Sequence, residues 1–215
     1  QLKKNGIWQT VDQAIVVVPG FTAHFRQMDW DDSEDTAYRL VFKDLKKNGS
    51  LEECLYEGTI KANPVDSQNI KVAAFTGNHN LTSWGSSVYA SNDRITYPHT
   101  DLYSKVMKHQ PDLFFWSGDQ VYEGGSPSGA DKSGKESSYY DYLYKWYLWC
   151  LSARDITKDY PCVILPDDHD VFQGNIWGAG GKPGRTQDDG GYQMPSQWVR
   201  MVDRTQSSHH PDPFD

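Results

Sequence analysis

Three short apolar segments of the chain each run directly into a cluster of acidic, amide and histidine side chains. The clusters follow Phe75, Trp116 and Leu165, and they are residues 76–80 (TGNHN), 117–123 (SGDQVYE) and 166–170 (PDDHD). In an open α/β sheet, ligands bind outside the carboxyl ends of the strands. If the three segments are neighbouring parallel strands, we expect the three clusters to meet at one place.

The carboxylates in these clusters indicate metal chemistry. Asp119, Asp167, Asp168 and Asp170 would each cost several kcal/mol if they were buried together without compensation, and a bound cation supplies that compensation. Oxygen ligands favour hard ions, so magnesium, calcium, manganese or ferric iron fit better than a metal that prefers thiolates. Taken one at a time, the clusters also fit a helix cap, a strand-to-loop turn and a polar loop.

The elements that must position these clusters change character along the chain. Residues 1–66 contain three predicted strands, at 14–19, 38–42 and 55–60, separated by turn signals such as Asn48-Gly49. Short strands without intervening amphipathic helices indicate part of an antiparallel β-sandwich. We therefore predict a small, partial β-sandwich domain over residues 1–66.

From about residue 67 to residue 215 the pattern becomes one of strands alternating with helices. Strands are predicted at residues 71–75, 113–116 and 162–165, and helices at 101–109 and 138–154. This alternation is typical of an α/β fold with a mixed or parallel sheet. The Gly-rich region 174–191 that follows is expected to be a functional loop.

Several packing expectations accompany this division. The apolar run at 14–19 suits a buried strand, and the helix at 138–154 is expected to be buried on two sides, with Tyr139, Leu143, Trp146, Tyr147 and Cys150 on one face. The three cysteines, at positions 54, 150 and 162, have no CxxC spacing and are expected to be core thiols.

Composition excludes some classes of partner. The 215 residues carry a formal net charge of −8 and a pI near 5.3, without the clustered Lys and Arg that a nucleic-acid or anionic-membrane surface needs. No segment approaches the roughly 20 apolar residues of a membrane-spanning helix.

Two segments resemble motifs of the metallophosphoesterases, and within them the PhoD-like alkaline phosphatases. Residues 114–123 (FFWSGDQVYE) are similar to that family's apolar strand followed by Gly-Asp and a Tyr three residues on, and residues 166–171 (PDDHDV) are similar to its second motif. The resemblance covers residues from about 69 onward. Residues 38–64 also resemble the small sandwich that precedes that catalytic domain.

The resemblance implies a role for each matching residue. Asp119 would bridge two metals, Tyr122 would be a phenolate ligand suggestive of ferric iron, and Asp167 and Asp168 would hold the second metal or calcium ions. His169 would face the substrate phosphate, as proton donor to the leaving oxygen or as a stabiliser of transition-state charge. Manganese, magnesium and zinc are alternative metals.

Some positions are less well defined. Where PhoD-like enzymes usually place a metal-binding Cys after the first strand, this chain offers His79 or Asn78, or no ligand. Asn175 is a further candidate for the shell around the substrate. Lys182 and Arg185 are expected either to reach the substrate phosphate from the Gly-rich loop or to be solvated charges.

The family's later His-bearing strand has no counterpart in the sequence. His209 and His210 are the only late histidines, and they lie in a Pro-rich stretch that is typical of a loop. The chain therefore resembles a PhoD-like member truncated before that motif. The resemblance also implies a periplasmic or secreted location, which the sequence itself does not encode.

The expected function is hydrolysis of phosphate mono- or diesters by a hydroxide activated at a dinuclear metal site and attacking in line. The alternative from a different class is a noncatalytic or degenerate fragment that uses exposed aromatic side chains to bind a carbohydrate or a protein. Metal content distinguishes the two.

Overall fold

The computed structural model describes residues 1–46, 48–64, 68–77, 99–123, 130–173, 184–185, 189 and 191–211. In these ranges the chain forms one antiparallel sheet, one parallel sheet and the helices that accompany it. The predicted mixed α/β class is confirmed at this level. The predicted division at residue 66 lies outside the described residues, and the sandwich stays a prediction.

The antiparallel sheet is built from the first part of the chain. Its described strands, in the order β2-β1-β3-β4, are β1 (Leu2–Lys4), β2 (Ile7–Gln9), β3 (Thr36–Leu45) and β4 (Leu51–Ile60). Strands β3 and β4 form a long hairpin in which Thr36 pairs with Ile60. The hairpin turns at Gly49, whose φ of 80° suits glycine, as the Asn-Gly signal predicts.

The parallel sheet holds the three strands that precede the polar clusters. They are β5 (Val72–Phe75), β6 (Leu113–Trp116) and β7 (Cys162–Ile164), paired in that order within the described residues. Helix α1 (Thr100–Met107) connects β5 with β6, and helix α2 (Glu136–Thr157) connects β6 with β7. All five elements agree with the predicted ones to within three residues at either end.

Helix α2 joins two apolar clusters. Tyr142 packs with Phe172 and Trp198, and Trp149 packs with Trp116 and Phe114 of the parallel sheet. The predicted burial on two sides is wrong, because the buried residues of α2 form one stripe, which includes Ser138, Lys145 and Ser152 and meets the two clusters at different positions along the helix. Tyr147, which was expected on a buried face, is 59% exposed.

A third helix, α3 (Ser196–Ser207), was not predicted from the sequence. It begins after Pro195 and buries Trp198, Met201 and Val202 against Tyr142 and Phe172. Trp198 Nε1 donates to the backbone oxygen of Ser138, 3.0 Å away. The spacing of Trp198, Met201 and Val202 is typical of one face of a helix. The Gly-rich stretch before these residues made that pattern harder to recognise.

The predicted buried strand at residues 14–19 is wrong. This run forms only an isolated bridge between Val17 and Thr22, and Ile15 is 88% exposed. Pro19 and Gly20, the latter at φ 112°, form the turn that joins the two bridged residues, and residues 14–16 belong to neither of the described sheets. Arg204 of α3 anchors the turn by donating to the Pro19 oxygen.

The prediction that all three cysteines are core thiols is wrong for Cys54. Cys54 is exposed, because β4 lies at the edge of the antiparallel sheet with most of its side chains open to solvent. Cys150 and Cys162 are half-buried, and burial raises the pKa of each thiol to about 12.

Among the described helices, none has the length and apolar content to cross a membrane.

The antiparallel sheet is attached to the carboxyl end of α2. The Tyr38 hydroxyl donates to the Lys158 oxygen over 2.9 Å, and the Thr59 amide donates to Asp159 Oδ1 over 2.9 Å. Gly58 lies between these bonds, where a Cβ atom would overlap the Lys158 oxygen and lie 2.7 Å from the Tyr38 hydroxyl oxygen. The close approach therefore requires glycine.

We expect Gly58→Ala to lower the free energy of unfolding by about 1–3 kcal/mol, because the added methyl group must displace backbone as well as side chain. Urea unfolding followed by circular dichroism measures this change. Glu57→Ala, at the exposed neighbouring position of β4, should change it by less than about 0.5 kcal/mol. Equal stabilities for the two variants would show that the close approach at Gly58 is not tight.

Candidate metal centre

The carboxyl ends of the three parallel strands lie side by side, as predicted. The Gly77 amide, after β5, donates to the Gly118 oxygen, after β6, over 3.4 Å. Gly118 has φ 108°, and a Cβ there would overlap the side chain of Asp167, after β7. Glycine at position 118 therefore lets the β6 and β7 loops touch.

Three side chains on these loops form a group that could hold a metal ion. Asp119, Asp168 and His169 each offer a ligand atom, and these atoms all lie within 4.8 Å of one another. Asp168 precedes a 3-10 turn (His169–Val171) and caps it by accepting from the His169 amide over 2.9 Å. The turn therefore places Asp168 and His169 on the same side as Asp119.

Asp119 has one satisfied and one unsatisfied carboxylate oxygen. Its Oδ2 accepts from the Tyr122 hydroxyl over 2.9 Å, whereas its Oδ1 is buried without a hydrogen-bond partner among the described residues. Asp119 also adopts φ 60°, which is uncommon for a residue other than glycine. A buried carboxylate oxygen without a donor is rare, and it fits a cation as its partner.

The electrostatics of the group also favour an added positive charge. Burial raises the pKa of Asp168, the His169 amide and ring partly offset this, and the charges of Asp167 and Asp119 add to the rise. Burial likewise raises the pKa of Tyr122, together with its hydrogen bond to Asp119. Burial, together with the nearby negative charge, therefore disfavours ionisation of both groups, and a cation would oppose that preference.

His169 is held by contacts on two sides. Its ring stacks on Tyr122, with centroids 4.4 Å apart, and its Nδ1 lies 2.6 Å from Glu123 Oε2. Burial lowers the pKa of His169, but the hydrogen bond to Glu123 and the charges of Glu123, Asp119 and Asp168 outweigh burial and raise it. The group thus attracts a positive charge, whether a proton or a metal ion.

Asp170 accepts hydrogen bonds from the protein, whereas its position beside Asp167 and Asp168 suggested a metal ligand. It is fully buried, and its Oδ2 accepts from the amides of Asp119 and Asp167, at 2.8 and 2.9 Å. Its Oδ1 accepts from the Val121 amide at 2.8 Å and from Gln206 Nε2 at 2.9 Å. Asp170 was expected to need a cation, but four N–H donors compensate it instead.

A chain of buried amides connects this carboxylate to helix α3. Gln206 Nε2 also donates to the Tyr142 hydroxyl over 3.1 Å, and Gln206 Oε1 accepts from Gln120 Nε2 over 3.0 Å. Gln120 in turn donates to the oxygen of Leu165, the residue directly after β7. The sequence analysis missed Gln206 and Gln120, because neutral amides carry no charge pattern that marks them.

The remaining predicted site residues are not members of this group of three or lie outside the described residues. The Asp167 side chain is exposed, and its Oδ1 accepts from the Asp168 amide. Arg185 is exposed, with its amide bonded to Asp189. Their proposed roles stay predictions. The predicted residues outside the described ranges are Asn78, His79, Asn175 and Lys182.

The late histidines are not members of the group formed by Asp119, Asp168 and His169. His210 Nε2 lies 2.9 Å from the Ile164 oxygen of β7, and the His209 ring packs on His210 with centroids 3.9 Å apart. Both follow directly after α3.

Comparison of the chain with models of protein families, with curated proteins and with solved structures finds no match in any of the three.

The contacts of Asp170 generate a direct prediction. Asp170→Asn keeps the size of the side chain but replaces one acceptor oxygen with a donor, so buried amides lose their partner at about 1–3 kcal/mol each. We expect the free energy of unfolding to fall by at least about 2 kcal/mol, measured by urea denaturation.

Asp167→Asn is the matched control, because the same chemical change then occurs at an exposed side chain. Its expected effect is below about 0.5 kcal/mol. A stable Asp170→Asn protein would mean that the four N–H contacts do not hold the loops together.

Proposed function

We propose that this protein is a metal-dependent phosphate ester hydrolase of the metallophosphoesterase type, similar to the PhoD-like alkaline phosphatases. The observation that carries the proposal is the group of Asp119, Asp168 and His169, whose ligand atoms lie within 4.8 Å of one another at the carboxyl ends of parallel strands. The finer assignment of the sheet as a metallophosphatase-like fold belongs to the same proposal.

The residues of the group would hold a hard cation. Asp119 offers the buried Oδ1 that has no donor among the described residues, and Asp168 offers a carboxylate whose ionisation is disfavoured by burial and by its acidic neighbours. His169 offers a ring nitrogen. Tyr122, bonded to Asp119, is the candidate phenolate ligand, and Asp167 the candidate for a second ion. Ferric iron and calcium are the ions that the family resemblance favours.

A cation bound there would lower the pKa of a water molecule and neutralise part of the charge of a phosphoryl group. The chain's own contribution is to fix the positions of the ligands before substrate arrives. Asp170 fixes the backbone of the two acidic loops, and Gly118 allows those loops to touch. Such preorganisation is a large part of the rate enhancement in sites of this kind.

His169 has two candidate tasks, and they exclude each other at one nitrogen. The family resemblance implies that it gives a proton to the leaving oxygen. Its position within ligand distance of Asp119 and Asp168 favours a bond to the cation, and a nitrogen that binds a metal has no proton to give. We therefore assign His169 to the ligands, which makes it essential under either interpretation.

The test is hydrolysis of 4-nitrophenyl phosphate and bis(4-nitrophenyl) phosphate with manganese, calcium or ferric ions added. We expect activity that a chelator removes and that Asp119→Asn and His169→Ala each lower by roughly 100-fold or more. Asp155→Asn is the control, since Asp155 is an exposed carboxylate of α2. The ratio of the two rates identifies the preferred ester class.

Turnover that both site variants leave unchanged, or that persists after the metal has been removed, would refute the proposal.

A second candidate function is a noncatalytic binding module. It is favoured by a cleft of about 480 Å³ between residues 18–21 and helix α2, to which Phe21, Tyr139 and Tyr140 contribute aromatic side chains. Aromatic side chains beside the Glu136 carboxylate and the Gln197 amide suit an uncharged, hydroxyl-rich ligand. A chain that binds no metal near Asp119 would favour this function over hydrolysis.

A further inference from the structure

Glu123 makes a contact for which the proposed hydrolase has so far no use. Its Oε2 lies 2.6 Å from Nδ1 of His169, and the two side chains are 17% and 29% exposed. The backbone at this position is fixed as well, because the Glu123 oxygen accepts from the Ala130 amide over 2.8 Å. A short contact between two largely enclosed groups indicates a defined geometry.

The contact determines which nitrogen of His169 is available. A carboxylate accepts hydrogen bonds, so the nitrogen that faces Glu123 must carry a proton, and that nitrogen cannot bind a metal ion. Nε2 is then the nitrogen left to act as a ligand. Stacking on Tyr122 restricts rotation of the ring, so the two contacts together define both its plane and its direction.

The loop after β6 carries both partners of this arrangement. Asp119, a ligand candidate, and Glu123 are four residues apart, and the amides of Asp119 and Val121 are bonded to Asp170. His169 directly precedes Asp170 on the other loop. The buried carboxylate of Asp170 therefore holds the loop that carries Glu123 close to the loop that carries His169.

We propose that Glu123 is a positioning residue: it accepts the Nδ1 proton of His169 and thereby presents Nε2 to the cation shared with Asp119 and Asp168. This inference rests on the proposed metal centre. Neither the family resemblance nor the sequence pattern assigned Glu123 to that centre. Carboxylate partners of this kind orient metal-binding histidines and raise their basicity.

The first test uses the chain without metal. Two-dimensional ¹⁵N–¹H spectra of the histidine side chains report which nitrogen carries the proton, and a His169→Gln spectrum assigns the signal. We expect His169 to be the Nδ1–H tautomer when its ring is neutral. Glu123→Ala should shift it toward Nε2–H, which a neutral imidazole prefers in water.

The second test uses cobalt(II) as the probe. We expect Glu123→Ala to weaken cobalt binding by about 10–100-fold, measured by the d–d absorption of the bound ion. The wild-type complex should also show a hyperfine-shifted, exchangeable N–H proton from the ligand ring, and the alanine variant should lose it. Glu123→Gln, which keeps the volume and an acceptor oxygen, should bind cobalt more tightly than Glu123→Ala.

The control is Glu57→Ala, which removes an exposed glutamate of β4 and should leave both signals unchanged. An Nε2–H tautomer of His169 in the wild-type chain would overturn the proposal, as would equal cobalt affinity of wild-type and Glu123→Ala proteins. Neither readout requires turnover. An inactive chain with the expected tautomer and cobalt signal would refute hydrolysis and support the role of Glu123.

Discussion

The buried carboxylate of Asp170 is the interaction on which the arrangement at the end of the parallel sheet depends. Three backbone amides and the Gln206 side chain donate to it, and these donors come from the β6 loop, the β7 loop and helix α3. Hydrogen bonds to a charged group contribute about 1.5–3 kcal/mol each. Burial nevertheless raises the pKa of Asp170 to about 6, so removing the charge from water costs more than the donors return.

That balance explains the division of tasks among the acidic residues. Because both oxygens of Asp170 are occupied by N–H donors, it fixes backbone and is not a ligand. Asp119 instead keeps Oδ1 without a donor, next to Asp168 and His169. By holding the two loops together, Asp170 brings the carboxylates of Asp119 and Asp168 close to each other. Negative charge gathered in this way favours the binding of a cation.

Much of this organisation could be predicted from the sequence, and the reasons are local. Strand β6 is predicted to the residue, because Pro111 and Gly118 bracket an uninterrupted apolar run. Since parallel strands end at one edge of a sheet, the convergence of Asp119 with Asp168 and His169 follows from the order of the elements. These inferences need only periodicity and topology.

The rest depends on tertiary contacts that single-residue patterns do not encode. Asp167, Asp168 and Asp170 are the same residue type, and only the 3-10 turn decides that one is buried and another exposed. The apolar run that contains Ile15 resembles a buried strand, yet it finds no partner beyond one bridge. Gln206 lies on helix α3, whose amphipathic pattern is short, and it contacts Asp170 through a single hydrogen bond of its side-chain amide. A neutral side chain with one such contact leaves no recognisable pattern in the sequence.

The most direct test of the account is the position of a bound metal ion. Anomalous diffraction from crystals of the chain soaked in manganese(II) should give a peak bonded to oxygens of Asp119 and Asp168 and to a ring nitrogen of His169. A structure in which manganese binds elsewhere, with these three side chains unchanged and without metal between them, would contradict the account.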